Sequence, residues 1–80
     1  MMSAKEMFEA LGEELRQDSI DWLTYSANYE KWYEHNIDFN KKEKQIRISG
    51  GIVAMGRIIT LDELKAINQQ CKELWGDDVL

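Results

Sequence analysis

Trp32-Tyr33-Glu34-His35-Asn36-Ile37-Asp38-Phe39 decides the fold class of this chain, because its side chains alternate with a period of two. Tyr33, His35, Ile37 and Phe39 share one face of an extended strand, and Trp32, Glu34, Asn36 and Asp38 share the other. A helix would scatter both sets around its axis. Asn40-Lys41-Lys42-Glu43 then reads as a turn, after which Ile46 and Ile48 alternate with Gln45, Arg47 and Ser49. The two strands make a hairpin. Upstream, Trp22, Thr24 and Tyr25 favour an earlier strand over residues 20–26, followed by a turn at Ala27-Asn28-Tyr29-Glu30. Downstream, Gly50-Gly51 permits a bend, and residues 52–58 supply a short fourth strand.

Helices flank this strand region. Ser3-Ala4-Lys5-Glu6 has the form of a capping box, in which the Ser3 hydroxyl accepts from the Glu6 amide and the Glu6 carboxylate accepts from the Ser3 amide. Ala4, Met7, Phe8, Leu11 and Leu15 recur at helical spacing, which carries the predicted helix to Gln17 or Asp18 with Gly12 as a weak point inside it. A second box, Thr60-Leu61-Asp62-Glu63, opens the last helix, with Ile59 and Leu64 at the positions of a hydrophobic staple. Leu64, Ile67, Cys71 and Leu74 form its apolar stripe, and Gly76 stops it. The expected order is α-β-β-β-(β)-α. The fold class is α+β, a two-layer sandwich with two amphipathic helices packed on one face of a small antiparallel sheet, in a single domain over residues 1–80.

Composition sets the bounds. With 80 residues, 44% hydrophobic and 31% charged, the chain is globular rather than disordered and builds one modest core. Lys5 and Glu6 interrupt the N-terminus before any apolar run develops, so no signal or membrane-spanning segment is expected. The single cysteine, Cys71, closes no internal disulfide, which agrees with a reducing, cytoplasmic compartment. The net charge of −5 is banded. Residues 1–39 hold three Lys/Arg against nine Asp/Glu, residues 40–57 five against one, and residues 58–80 two against five. A basic band inside an acidic chain must overcome the rest of the molecule before it can hold a phosphate backbone.

Few residues carry a signal for chemistry. His35 lies among apolar neighbours on its strand face, and only Cys71 offers a second soft metal ligand, so the expectation is no metal. Cys71 sits within an apolar stripe, where a free cysteine behaves as a small hydrophobe rather than a nucleophile. No two carboxylates share an apolar setting that would separate their pKa values. Gly50, Gly51 and Gly56 match neither common phosphate-binding fingerprint. The reading is a protein that binds, without catalytic or cofactor-binding residues.

The aromatics point to where it binds. Six of eight (Trp22, Tyr25, Tyr29, Trp32, Tyr33 and Phe39) lie within residues 22–39. If Tyr33, Ile37 and Phe39 meet the helices, Trp32 points the other way and Trp22 joins it on an open sheet face. Trp22, Trp32, Glu34 and Asp38 then form an aromatic centre in an acidic rim, with Glu9, Glu13 and Glu14 as a second acidic patch. Such a surface suits a protein partner with a basic groove. A loop, the chain's own tail or a second copy in a homodimer would cover the same face in the bland reading. The competing reading is a small nucleic-acid-binding regulator using Lys41, Lys42, Lys44, Arg47 and Arg57.

The opening Ser3-Ala4-Lys5-Glu6-Met7-Phe8-Glu9-Ala10-Leu11-Gly12 and the closing Ile58-Ile59-Thr60-Leu61-Asp62-Glu63-Leu64-Lys65-Ala66-Ile67-Asn68 resemble small uncharacterised proteins encoded by phages and prophages of Firmicutes. The likeness covers about half of the chain, at its two ends. Those proteins end their last helix near Leu-Gly-Trp, whereas this chain reads Leu74-Trp75-Gly76. The resemblance brings no catalytic residues. It implies a mobile-element setting in a bacterial cytoplasm, where small acidic proteins often bind and disable host enzymes, including CRISPR effectors and other defence nucleases.

Overall fold

The computed structural model describes residues 2–30, 33–50 and 58–76, and at 28–30, 33 and 34 the backbone alone. Helix α1 spans Ala4–Ala10, and its capping box forms as expected: the Ser3 amide donates to Glu6 Oε1 at 3.1 Å, and the Glu6 amide donates to Ser3 Oγ at 3.2 Å. The helix does not run on to Gln17 or Asp18. Gly12 turns to φ +82°, its amide donates to the Glu9 carbonyl, and the Glu13 amide donates to the Phe8 carbonyl at 2.9 Å. These paired bonds define a Schellman stop, which needs a residue at ease with positive φ. Gly12 therefore ends the helix, and the residues after it are free to become a strand.

That strand is β1, Glu14–Asp18, followed by β2 (Trp22–Glu30), β3 (Tyr33–Asn40) and β4 (Gln45–Gly50). They lie in the order β1-β2-β3-β4, each antiparallel to the next. The expected strand over 20–26 begins two residues later and runs four residues longer. Residues 27–30 are strand rather than turn, since Ala27 pairs with His35, Asn28 with Glu34 and Glu30 with Tyr33. The expected strand over 52–58 falls almost wholly outside the described residues, and so does Trp32. Among the described residues the sheet still has four strands, because β1 occupies sequence read as helix. Leu15 misled the helical pattern: it stands four residues after Leu11, but it opposes Tyr25 across the sheet.

Helix α2 spans Leu61–Trp75, with the Thr60 hydroxyl accepting from the Glu63 amide at 3.1 Å and Gly76 closing it at φ +89°. Its buried face is Glu63, Ala66, Ile67, Gln70 and Cys71, with Leu74 partly buried beside them. Leu64, expected in the apolar stripe, is exposed, because two polar residues occupy inward positions and rotate the stripe away from it. Ile59, its expected staple partner, is exposed as well.

Both helices cover one face of the sheet, as predicted. Ala4, Phe8, Leu23, Tyr25, Ile37, Phe39, Ala66, Ile67 and Cys71 make a single core. Phe8 stacks on Tyr25 with ring centroids 4.0 Å apart and meets Phe39 edge-on at 6.3 Å. Phe8, Ile37 and Phe39 are wholly buried, each worth ~1.5–3 kcal/mol relative to exposure. Two bonds tie the helices down. Ala4 at the start of α1 donates its amide to the Glu73 carboxylate of α2 at 2.7 Å, and Tyr25 donates its hydroxyl to Gln70 Oε1 at 2.7 Å.

Candidate partner-binding face

Strand alternation sends Leu23, Tyr25 and Ala27 into the core and leaves Trp22, Thr24 and Ser26 on the face that neither helix covers. The same register brings Thr24 opposite Asp38 and Asp38 opposite Arg47, a row across three strands. Thr24 Oγ1 donates to Asp38 Oδ1 at 2.7 Å, and Arg47 Nε donates to Asp38 Oδ2 at 3.1 Å. The Arg47 guanidinium also lies over the Trp22 ring, 5.1 Å from its centroid. Its planar cation suits both partners at once, an aromatic face and a carboxylate edge.

This row changes the reading of the acidic rim. Asp38 occupies the expected face, but it is only 7% exposed and its charge is answered by Arg47. The Arg47 side chain is 66% exposed, so the charge this row presents to solvent is positive. Trp22 remains part-exposed beside it. Trp32 lies outside the described residues, and so does the Glu34 side chain. At the β1 margin, Arg16 donates from Nε to Ser26 Oγ at 3.0 Å and pairs with Glu14 at 3.3 Å.

Glu9, Glu13 and Glu14 do come together, around a cleft of about 520 Å³ shared with Lys5, Gly12 and Leu15. Only Glu9 and Glu14 are exposed, so the surface patch holds two of the three expected carboxylates. Glu9 pairs with Lys5 at 3.8 Å, Glu14 with Arg16, and Glu13 is buried, lining a second cavity with His35, Thr60 and Glu63. The basic residues divide similarly. Lys41 donates to Asp18 Oδ1 and to the Ser19 carbonyl, both at 2.7 Å, whereas Lys42 and Lys44 are exposed on the β3–β4 turn. Arg57 lies outside the described residues.

Burial raises the thiol pKa of Cys71 above its ordinary value, which disfavours the reactive thiolate. Among the described residues, no three of the His, Cys, Asp and Glu side chains are grouped to hold a metal ion, and no helix is long and apolar enough to cross a membrane. One surface residue escaped the sequence reading. Ile20, placed there inside a strand, stands at the tip of the β1–β2 turn and is 90% exposed. The turn residues Ser19 and Asp21 around it were the available signal.

The chain is thus an α+β protein of two layers: its described residues form an antiparallel four-stranded meander backed on one face by two helices. It matches no model of a known protein family, no curated protein and no solved structure.

Proposed function

We propose that this protein is a non-catalytic binding domain that engages another protein through the helix-free face of its sheet. The observation that carries the reading is Trp22, part-exposed on that face and stacked under Arg47. Tryptophan and arginine are the residues most enriched among the energetic anchors of protein interfaces, and a ring already held by a cation loses little freedom on docking. With Asp38 answered by Arg47, recognition rests on the aromatic and the guanidinium more than on an acidic rim. In the phage or mobile-element setting that the two ends of the chain resemble, the partner is a host protein. A defence nuclease, including a CRISPR effector, is the target class such a setting favours, and inhibition is the expected consequence.

Affinity capture from a bacterial lysate, followed by mass spectrometry, identifies the partner. Calorimetry with that partner then tests the face. Trp22→Ala is expected to weaken binding by ~2 kcal/mol or more while the protein stays folded. Unchanged affinity in a folded Trp22→Ala protein removes the reading. The nucleic-acid alternative draws support from Lys42 and Lys44, exposed together on one turn. A gel shift that weakens steeply with salt, and that Lys42→Ala with Lys44→Ala abolishes, would put it first.

A further inference from the structure

The two margins of the sheet are built differently. β1 is five residues long, four of them polar or charged, and a bulge at Arg16 shifts its register against β2. Short length, charge and a bulge each discourage a further strand from adding at an edge. β4, outermost on the other side among the described residues, is one residue longer and carries a single charge, that of Arg47, but it has no bulge. It pairs with β3 over six consecutive residues, from Asn40 opposite Gln45 to His35 opposite Gly50, without a shift. It carries no proline, and its side chains on the helix-covered side are Ile46 and Ile48. These are 38% and 36% exposed, although their cross-strand neighbours Phe39 and Ile37 are wholly buried. An unbroken strand with β-branched side chains left partly in water is a template for another strand.

The side-chain pattern selects the occupant. When β4 pairs antiparallel with a copy of itself about a two-fold axis at Ile48, Ile48 meets Ile48, Arg47 meets Ser49 and Ile46 meets Gly50. No like charges oppose one another. An axis at Arg47 would instead set two guanidinium groups face to face. One at Ile46 would draw Lys44 into the ladder, and Lys44 has φ +55°, outside the strand region. We propose that β4 pairs with β4 of a second copy about Ile48, joining two four-stranded sheets edge to edge and burying Ile46 and Ile48 of both. The helix-free face with Trp22 and Arg47 stays open in this arrangement.

Sedimentation equilibrium of the full chain over a range of concentrations, combined with amide exchange along β4, tests the pairing. The expected result is a monomer–dimer equilibrium in which the outward amides of β4 gain protection as concentration rises. Ile48→Lys sets two ammonium groups together at the axis and raises the dissociation constant about tenfold or more. Ser49→Glu, which faces Arg47 of the other copy, lowers it and so reads the register without touching an apolar residue. Three outcomes overturn the proposal: a monomer at every concentration, a dimer indifferent to both substitutions, or β4 amides protected equally at all concentrations. The last would mean that another part of the same chain covers this edge.

Discussion

Tyr25 combines packing and polarity in one side chain, and its titration gives a direct reading of the core. Its ring stacks on Phe8 and meets Phe39 edge-on, and its hydroxyl reaches Gln70. Burial first, then the negative charges of Glu73, Asp18 and Glu9, push its pKa up to about 12 from the ordinary 10. Because the folded value is the raised one, this contribution to stability is fully present below the unfolded value of 10 and is lost as pH climbs through about 12. The expected loss is on the order of 2 kcal/mol. Denaturant midpoints for the wild type and Tyr25→Phe across that window check it: the wild type should fall more steeply, and parallel curves would exonerate the hydroxyl. At this scale the candidate site was half legible. Alternation put Trp22 and Asp38 on the open face, but it could not reveal that Arg47, nine residues beyond Asp38, answers its charge. Only the hairpin register brings that pair together.

Elements were legible where burial is one-sided and apolar. The β3–β4 hairpin showed its period because Ile37, Phe39, Ile46 and Ile48 alternate cleanly with polar residues. β1 was missed because it turns a single apolar side chain, Leu15, toward the core, so no alternation is visible in five residues. α2 was found, but its stripe was misphased, since Glu63 and Gln70 point inward and an apolar count passes over them. Gly12 marks the boundary that mattered. Nothing lies within 4 Å of the position its Cβ would take, so Gly12→Ala meets no clash and tests the backbone conformation alone. The expected cost is ~1–2 kcal/mol, from forcing an alanine to positive φ. In a domain of this size each kcal/mol of that is a fall in melting temperature of roughly 4–8 °C. An unchanged melting curve would mean that α1 can end without the left-handed residue.

For the molecule as a whole, part of the basic band serves the fold, since Lys41 is tied into two turns while Lys42 and Lys44 stay exposed. Lys41 gathers one end of the sheet: its ammonium binds Asp18 and the Ser19 carbonyl, its amide donates to the Asp21 carbonyl at 2.8 Å, and its carbonyl accepts from Trp75 Nε1 at 3.2 Å. Two hairpin turns and the end of α2 thus meet on one residue. Lys41→Ala removes the side-chain bonds while keeping the backbone ones. It is expected to lower stability by ~1–2 kcal/mol in thermal melts, the range for hydrogen bonds to a charged group that is partly screened. No change in stability would free Lys41 for a surface role and strengthen the nucleic-acid reading. Band charges summed along a sequence therefore overstate what a surface offers, because folding pairs residues that counting keeps apart.

The bond from the Ala4 amide to the Glu73 carboxylate sets the first turn of α1 beside the last turns of α2. The described chain enters and leaves its fold at one corner. That makes the domain a natural insert: spliced into a surface loop of an unrelated protein, it would not pry that loop apart. A short linker between the two helices would likewise let the chain be reopened at the Lys41–Lys44 turn, with every strand keeping its neighbours.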